Sequence, residues 1–507
     1  MNSALKNFKN KKVLVMGLGK LGGGIATTKW FVKHGAKVTV TDLRTRKNLA
    51  PSIRALGRAA HKVRFVLGKH RAEDFRRNDL IVVNPAVPRE SPYLAIARKA
   101  GREITNDAKI FFDLVANPIA AVTGTRGKTT TTNWLAHLAR GVHRRIAAAG
   151  NTPEMPLLAL IDRLKDKKTP AVLELSSWQL EQVDKAHLPA EAPAKGGHAP
   201  DVAVITNLYP DHLNRYPGIR DYARAKANIF KRQTPAQALI LNADDAWTPF
   251  FLREKPRGRV YFFSLKPLPK SRGGIFISGR RAFFKKDAKR TVVLGPREMR
   301  PLVALGNHNL QNLLAAMLAA HLLGIPWREI RKRIATLPQI PFRQEFIVAR
   351  LPAGRQGRHL TVVNDTAATS PDGTIAALAR FAGAPVRRER FKNKNLILIA
   401  GGTDKKLEFG GWARAVKRCV KPECLFLLGG SATEKMVRAL RRSGYFKQSY
   451  PQPFEELSSL IRAVKKKVRQ NTPSFVLFSP GAASFEKFKN EFDRGRKFNL
   501  YWGQNHT

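Results

Sequence analysis

Cysteine is almost missing from this chain of 507 residues, with only Cys419 and Cys424 present. Two thiols cannot build a disulfide framework or a four-ligand zinc set, so a reducing compartment, the cytoplasm, is expected. Long apolar runs are missing as well. No stretch approaches the roughly 18 uninterrupted apolar residues that cross a bilayer, and no membrane partner is expected. The basic MNSALKNFKNKK followed by VLVMGLG has the outline of a signal peptide. Its apolar part is short, β-branched and ends in a glycine loop, which reads as a first strand. Acidic residues are scarce, 37 against 91 Lys and Arg, leaving a formal charge of +54. That excess invites a nucleic-acid reading through phosphate neutralisation. The cations nevertheless spread over the whole chain, with local clusters at Arg387 to Lys394 and Lys465 to Arg469, and form no arm or aromatic-interleaved stripe. A solvated basic surface accounts for them more simply than a specific nucleic-acid partner.

What is present is the material of a globular protein. An apolar fraction of 43% argues against wholesale disorder, and the length suits about three domains. Short β-branched runs alternate with helical patterns in three α/β blocks. KKVLVMG and AKVTVTD flank a helical pattern from Leu21 to His34, and strands follow at Val63 to Leu67 and Leu80 to Val83. PIAAVTG, PAVLELS, DVAVITN and QALILNA form a second block whose strands read as buried and parallel. LTVVND, NLILIAG, CLFLLGG and SFVLFSP form a third, after FRQEF. The expected division is 1–116, 117–342 and 343–507, with Pro/Gly/Ala-rich loop insertions at 189–200 and 352–358.

The most informative stretch is AVTGTRGKTTTTNW at 121–134. A full Walker A motif places a glycine where this chain has Val122, so the strict pattern fails. Gly124 and Gly127 still allow a tight turn. Lys128 is placed for β- and γ-phosphate oxygens and Thr129 for magnesium, and a helix from Lys128 would aim its N-terminal amides at the same anion. An ordinary strand-to-helix turn would look similar; the buried-strand context and the run of threonines favour nucleotide. Glu174 and the pair Asp211-His212 end the next two strands, at the sheet edge where doubly wound folds hold ligands.

TGTRGKTTTT, LELSSWQLE, TNLYPDHLNRY, AKANIF, LNADD, GNHNLQN and SPGAASFEKFKNEFDRGRKF occur in the order found in the Mur ligases, and the chain resembles that family over nearly its whole length. Within the family it is most similar to the branch that adds D-glutamate to UDP-N-acetylmuramoyl-L-alanine through an acyl phosphate. The resemblance implies an α/β fold of three domains: an N-terminal Rossmann-like domain for the UDP substrate, a central P-loop-type ATPase sheet, and a C-terminal Rossmann-like domain for the amino acid. It implies ATP and Mg2+, with two ions, small-molecule substrates as the partners, and a monomer.

Carried onto matching positions, the resemblance implies that Gly124, Thr125, Arg126, Gly127, Lys128, Thr129 and Thr130 hold the ATP phosphates, joined by Asn312, Arg343 and Asp365 as further nucleotide contacts. Thr129, Glu174, His212 and Lys226 would serve the magnesium ions, and Lys128, His212 and Lys226 the chemistry. Lys226 matches the lysine that these ligases carbamylate, which converts a cation into a carboxylate-like oxygen ligand. The glycine loop after the first strand and the acid ending the second form a weak dinucleotide fingerprint. In this family they recognise UDP instead, which makes Gly19, Lys20, Leu21, Asp42 and Arg44 candidate UDP contacts and places Asn151 near the muramoyl-alanine end. Lys405, Ser484 and Phe485 would surround the incoming glutamate.

Four positions depart from the common family pattern. Arg126 stands where many members have asparagine, Ala367 where many have lysine, Phe342 where histidine is common, and Ala86 where glycine is. A sister Mur ligase or a folylpolyglutamate synthase would share the ATP machinery. The latter lacks the N-terminal UDP block, and no Asp-Asn-Pro-Arg-like signature of the diaminopimelate-adding ligase occurs. A basic nucleic-acid-binding ATPase would explain the charge but not SPGAASFEKFKNEF.

Overall fold

A computed structural model describes residues 8–20, 22–140, 146–150, 156–164, 166–183, 199–213, 215–287, 289–347, 360–382, 395–446, 452–470 and 474–503. Leu21, Asn151 and nearly all of the two insertions lie outside them.

The apolar runs become three sheets. β1 (Lys12–Met16), β2 (Lys37–Asp42), β3 (Val63–Leu67), β4 (Leu80–Val83) and β5 (Glu103–Thr105) form a parallel five-stranded sheet in the order β3-β2-β1-β4-β5. The order reverses direction at β1, the point at which doubly wound sheets open a ligand crevice. Helix α1 (Gly23–Lys33) crosses from β1 to β2. It begins after the position read from periodicity, because Gly22 takes a positive φ of 95° just before it.

The second sheet contains β6 (Ile119–Thr123), β7 (Ala147–Ala149), β8 (Ala171–Glu174), β9 (Val202–Ile205), β10 (Ala238–Asn242), β11 (Arg259–Ser264), β12 (Gly274–Ser278), β13 (Arg281–Lys286) and β14 (Lys289–Leu294). Its order is β14-β13-β12-β11-β10-β9-β6-β8-β7. The strands from β7 to β12 pair in parallel, as their unbroken apolar runs require, and β6 is wholly buried between β8 and β9. The antiparallel extension through β13 and β14 was not read from the sequence. Its signal was a two-residue turn, Gly279-Arg280, with Gly279 at a φ of 60°. Helices α2 (Lys128–Ala139), α3 (Ile219–Ala227) and the mostly apolar α4 (Asn307–Leu322) belong to this part of the chain.

The third sheet, β15 (Glu345–Ile347), β16 (Thr361–Asn364), β17 (Asn395–Gly401), β18 (Leu425–Leu428) and β19 (Ser474–Phe478), runs β15-β16-β19-β17-β18. Only the edge strand β15 is antiparallel. Around it lie α5 (Pro371–Ala382), α6 (Gly410–Cys419), α7 (Ser431–Arg442) and α8 (Glu491–Tyr501).

The chain forms two compact units. One contains Met1–Pro296 and Gln311–Leu337; the other contains Arg297–Leu310 and Pro338–Thr507. The short segment Arg297–Leu310 is knitted into the second unit by the buried Arg380, whose Nε donates to the Ala304 carbonyl at 2.9 Å, and by His308, 3.1 Å from the Gln344 side-chain oxygen. Burial beside the Arg380 cation lowers the His308 pKa to about 4, so its ring is neutral at neutral pH.

Candidate functional site

The turn after β6 is built to approach other backbone closely. Gly124 has a φ of 143°, and a Cβ there would run into the Thr206 hydroxyl; Gly127 has a φ of 82°, and a Cβ there would run into the Asn312 side-chain oxygen. Only glycine meets both demands at either position. Gly127 caps α2, so the first-turn amides of that helix, which have no intrahelical partners, open beside the loop. The Thr131 hydroxyl donates to the Asn312 side-chain oxygen at 3.4 Å, fixing α4 against this turn.

Cations converge on the loop. Lys128 Nζ donates to the Gly124 and Thr125 carbonyls at 3.0 and 3.1 Å, and Lys226 Nζ donates to the same Gly124 carbonyl at 2.9 Å. Lys226 comes from α3, is almost fully buried and lies 4.5 Å from the Tyr222 ring centre. Burial, with the Lys128 cation next, pushes its pKa well down, against the opposing pull of Asp211. Arg126 is a third cation, and its guanidinium bonds the buried Asp211 carboxylate at 3.0 Å. That pairing answers the departure at Arg126: the added charge meets a buried acid just past β9, the strand beside β6 in the sheet.

The acid and imidazole candidates sit on the same edge. Glu174 ends β8 opposite Val122 of β6 and is buried. Asp211 and His212 follow β9; the His212 backbone takes a φ of 56°, and its ring stands between Trp178 and Tyr222, 5.1 and 5.8 Å between centres. Thr129 and Thr130 lie in the first turn of α2. Among the described residues no three His, Cys, Asp or Glu side chains cluster as a ready metal cage.

Two residues that sequence reasoning missed hold this arrangement. Asn207 accepts from the Arg126 amide at 2.8 Å and donates to the Arg126 carbonyl at 3.2 Å. The Tyr222 hydroxyl lies 3.3 Å from that of Thr125. Asn207 could have been found as the polar residue ending an apolar run, just before Asp-His. Tyr222 could have been found one helical turn before Lys226.

In the first sheet, the loops after β1 and β2 meet. The Gly19 amide donates to the buried Asp42 carboxylate at 3.1 Å and the Arg44 amide at 2.9 Å, while the Ser52 hydroxyl holds the Gly19 carbonyl at 2.7 Å. Lys20 is exposed beside them.

In the second unit, the residues fall into two groups. Asp365, just past β16, accepts from the Ser479 hydroxyl at 2.7 Å and the Gln344 amide at 3.1 Å, next to Arg343. Burial raises its pKa to about 7, with Arg343 and Arg380 opposing. The loops after β17 and β19 bond to each other through Thr403 and Ala483, which sets Lys405 and Ser484-Phe485 on adjoining loops. The fully buried Arg494 of α8 stitches this corner by donating to the Thr366, Ala482 and Ala483 carbonyls. The Ser484 hydroxyl is buried without a hydrogen-bond partner, and Phe485 is 60% exposed. An orphaned hydroxyl beside an exposed ring is a combination that a ligand would resolve.

The Mur ligase middle domain matches residues 122–320, and the N-terminal domain of MurD-like Mur ligases matches residues 11–106. The chain is 37% identical to a UDP-N-acetylmuramoylalanine--D-glutamate ligase of a Roseiflexus species over 96% of this chain and 97% of the relative. It is 32% identical to the enzyme of the same name from Borreliella afzelii over 97% and 98%. Among solved structures, MurF from Acinetobacter baumannii superposes with a TM-score of 0.54 at 15% identity, covering 95% of this chain and 90% of that one. MurF from Thermotoga maritima in complex with ADP gives 0.52 at 15% identity, covering 99% of both; these two likenesses concern the fold.

Proposed function

The chain belongs to the Mur ligase family, and on that premise we propose that it joins D-glutamate to UDP-N-acetylmuramoyl-L-alanine with ATP, a step of peptidoglycan precursor synthesis. The observation that carries this reading is the convergence of Lys128, Lys226 and Arg126 on one glycine loop at the carboxyl edge of a parallel sheet. Such an assembly suits a polyphosphate whose terminal group is to be transferred.

A carboxylate and an ammonium do not condense usefully in water. Moving the γ-phosphoryl group of ATP to the alanyl carboxylate gives an acyl phosphate, and the glutamate amine then attacks its carbonyl through a tetrahedral intermediate, expelling phosphate. The protein contributes position and charge: Lys128 and the α2 amides face the phosphates, with Asn312, Arg343 and Asp365 as further nucleotide contacts. Magnesium usually takes only one or two protein carboxylates and completes its shell with water and substrate phosphates. The Thr129 hydroxyl and Glu174 would hold a first ion, and His212 with a carbamylated Lys226 a second. The ions would offset charge on the transferring group.

The UDP end falls to residues 1–116 through Gly19, Lys20, Leu21, Asp42 and Arg44, with Asn151 near the muramoyl-alanine end. ATP falls to 117–342 and glutamate to 343–507, where Lys405, Ser484 and Phe485 would meet it. A cytoplasmic monomer completes the reading. The test is phosphate release with UDP-N-acetylmuramoyl-L-alanine while D-glutamate, L-glutamate, D-aspartate and meso-diaminopimelate are offered in turn. D-glutamate should give the fastest release. Release with D-glutamate no greater than the blank without amino acid overturns the assignment, and preference for diaminopimelate transfers the chain to a sister activity.

A further inference from the structure

The second unit carries a groove of about 910 Å3 that the ligase reading leaves unused. It runs between α6 and α7, and its walls are cationic: Arg414, Lys417 and Arg418 from one helix, Lys435, Arg438 and Arg442 from the other. The spacing is helical on both sides. Positions i, i+3 and i+4 on α6, and i, i+3 and i+7 on α7, bring three cations of each helix to one face, so the second row extends about 10 Å along its axis.

Few acids balance these charges. Glu408 is the sole carboxylate among the described lining residues. Lys435 is paired with Asp404 at 2.6 Å, and Lys417 Nζ donates to the Ser443 carbonyl at 2.5 Å. Arg414, Arg418, Arg438 and Arg442 are exposed and make no ion pair among the described residues. Four guanidinium groups sharing one concavity repel one another, and a chain of anions relieves that repulsion while accepting forked hydrogen bonds.

We propose that this groove binds a linear polyphosphate chain, an extended polyanion with one charge per unit and no bases. One feature selects it over a nucleic acid. A single strand draws much of its affinity from bases stacked on aromatic platforms, and the only aromatic among the described lining residues, Phe409, is 4% exposed.

The experiment uses the full chain and a fluorescent inorganic polyphosphate, read by anisotropy across salt concentrations. Four released charges predict a log–log salt slope of about 3, by the single-strand coefficient of about 0.7 per contact. Arg414→Glu with Arg438→Glu should weaken binding at least about tenfold and roughly halve that slope. A control with the same change in charge, Arg280→Glu with Arg281→Glu at the exposed tip of the β12–β13 hairpin, should change affinity less than about twofold. The neutral pair Arg414→Gln and Arg438→Gln, with normal thermal melting and phosphate release, guards against misfolding and should fall between. Equal losses in the groove and control variants overturn the proposal in favour of diffuse surface charge. Tighter binding of a single-stranded oligonucleotide, lost in the groove variant, overturns it in favour of nucleic acid.

Discussion

Replacing Asp365 with Asn should stabilise the free protein as pH rises, while weakening nucleotide binding. Asp365 is buried and its pKa is raised to about 7 from an ordinary 3.8. The folded state therefore holds a proton that the unfolded chain has released between those values, and stability is lost as pH climbs through that window. A shift of about 3 units corresponds to about 4 kcal/mol, of which about 3 kcal/mol falls between pH 5 and pH 8. Asparagine cannot ionise and fits the same contacts. Its side-chain oxygen keeps the Gln344 amide, and its amide donates to the Ser479 hydroxyl, which retains Thr374 at 3.1 Å as its own acceptor. Thermal melts of both proteins at pH 5 and pH 8 read the effect. The melting advantage of Asp365→Asn, read on the transition of the second unit, should grow by about 6–12 °C between the two pH values, at about 2–4 °C per kcal/mol for a unit of roughly 150–250 residues. An advantage independent of pH would refute the claim that burial holds this carboxyl protonated. ATP affinity, measured separately, should fall if the carboxylate faces the nucleotide.

Other outcomes follow from the loop. Lys128→Ala should reduce phosphate release to the blank, since the proposed mechanism assigns this cation to the ATP phosphates; a rate near wild type would remove Lys128 from the mechanism. Lys226→Ala should lose turnover and regain part of it with short-chain carboxylates in steady-state assays, as expected if carbamylation makes this lysine a metal ligand; absence of rescue leaves it a buried cation. Gly127→Ala should lower the melting temperature through a left-handed alanine and a collision with Asn312, together costing about 2–5 kcal/mol, and should weaken ATP binding. Unchanged melting would show that the turn relaxes.

Much of this was legible in the chain because parallel strands buried on both faces leave unbroken apolar runs. The runs at Val63 to Leu67 and Leu80 to Val83 are strands of those bounds, and the runs ending in Gly-Lys-Thr, Glu and Asp-His lie on one edge of one sheet. What local pattern could not give is partnership at a distance. Arg126 looked like an isolated oddity, yet its acid stands beyond the end of a strand far along the chain. Lys226 sits in a polar helical segment that gives no hint of burial, because its cover comes from the loop and from Tyr222 rather than from an apolar stripe. The pairing of Arg297–Leu310 with the second unit is likewise carried by side chains, not by periodicity.

That last segment changes what counts as a separable module. Because the polypeptide passes between the two units three times, at Pro296, Leu310 and Leu337, the second unit is not one continuous length of gene. A fragment starting at Pro338 would discard the Ala304 carbonyl that Arg380 bonds and the imidazole beside Gln344. A functional chimera exchanging the second unit between ligases would have to carry both pieces, and a single proteolytic nick at any one crossing would leave the two units still tethered.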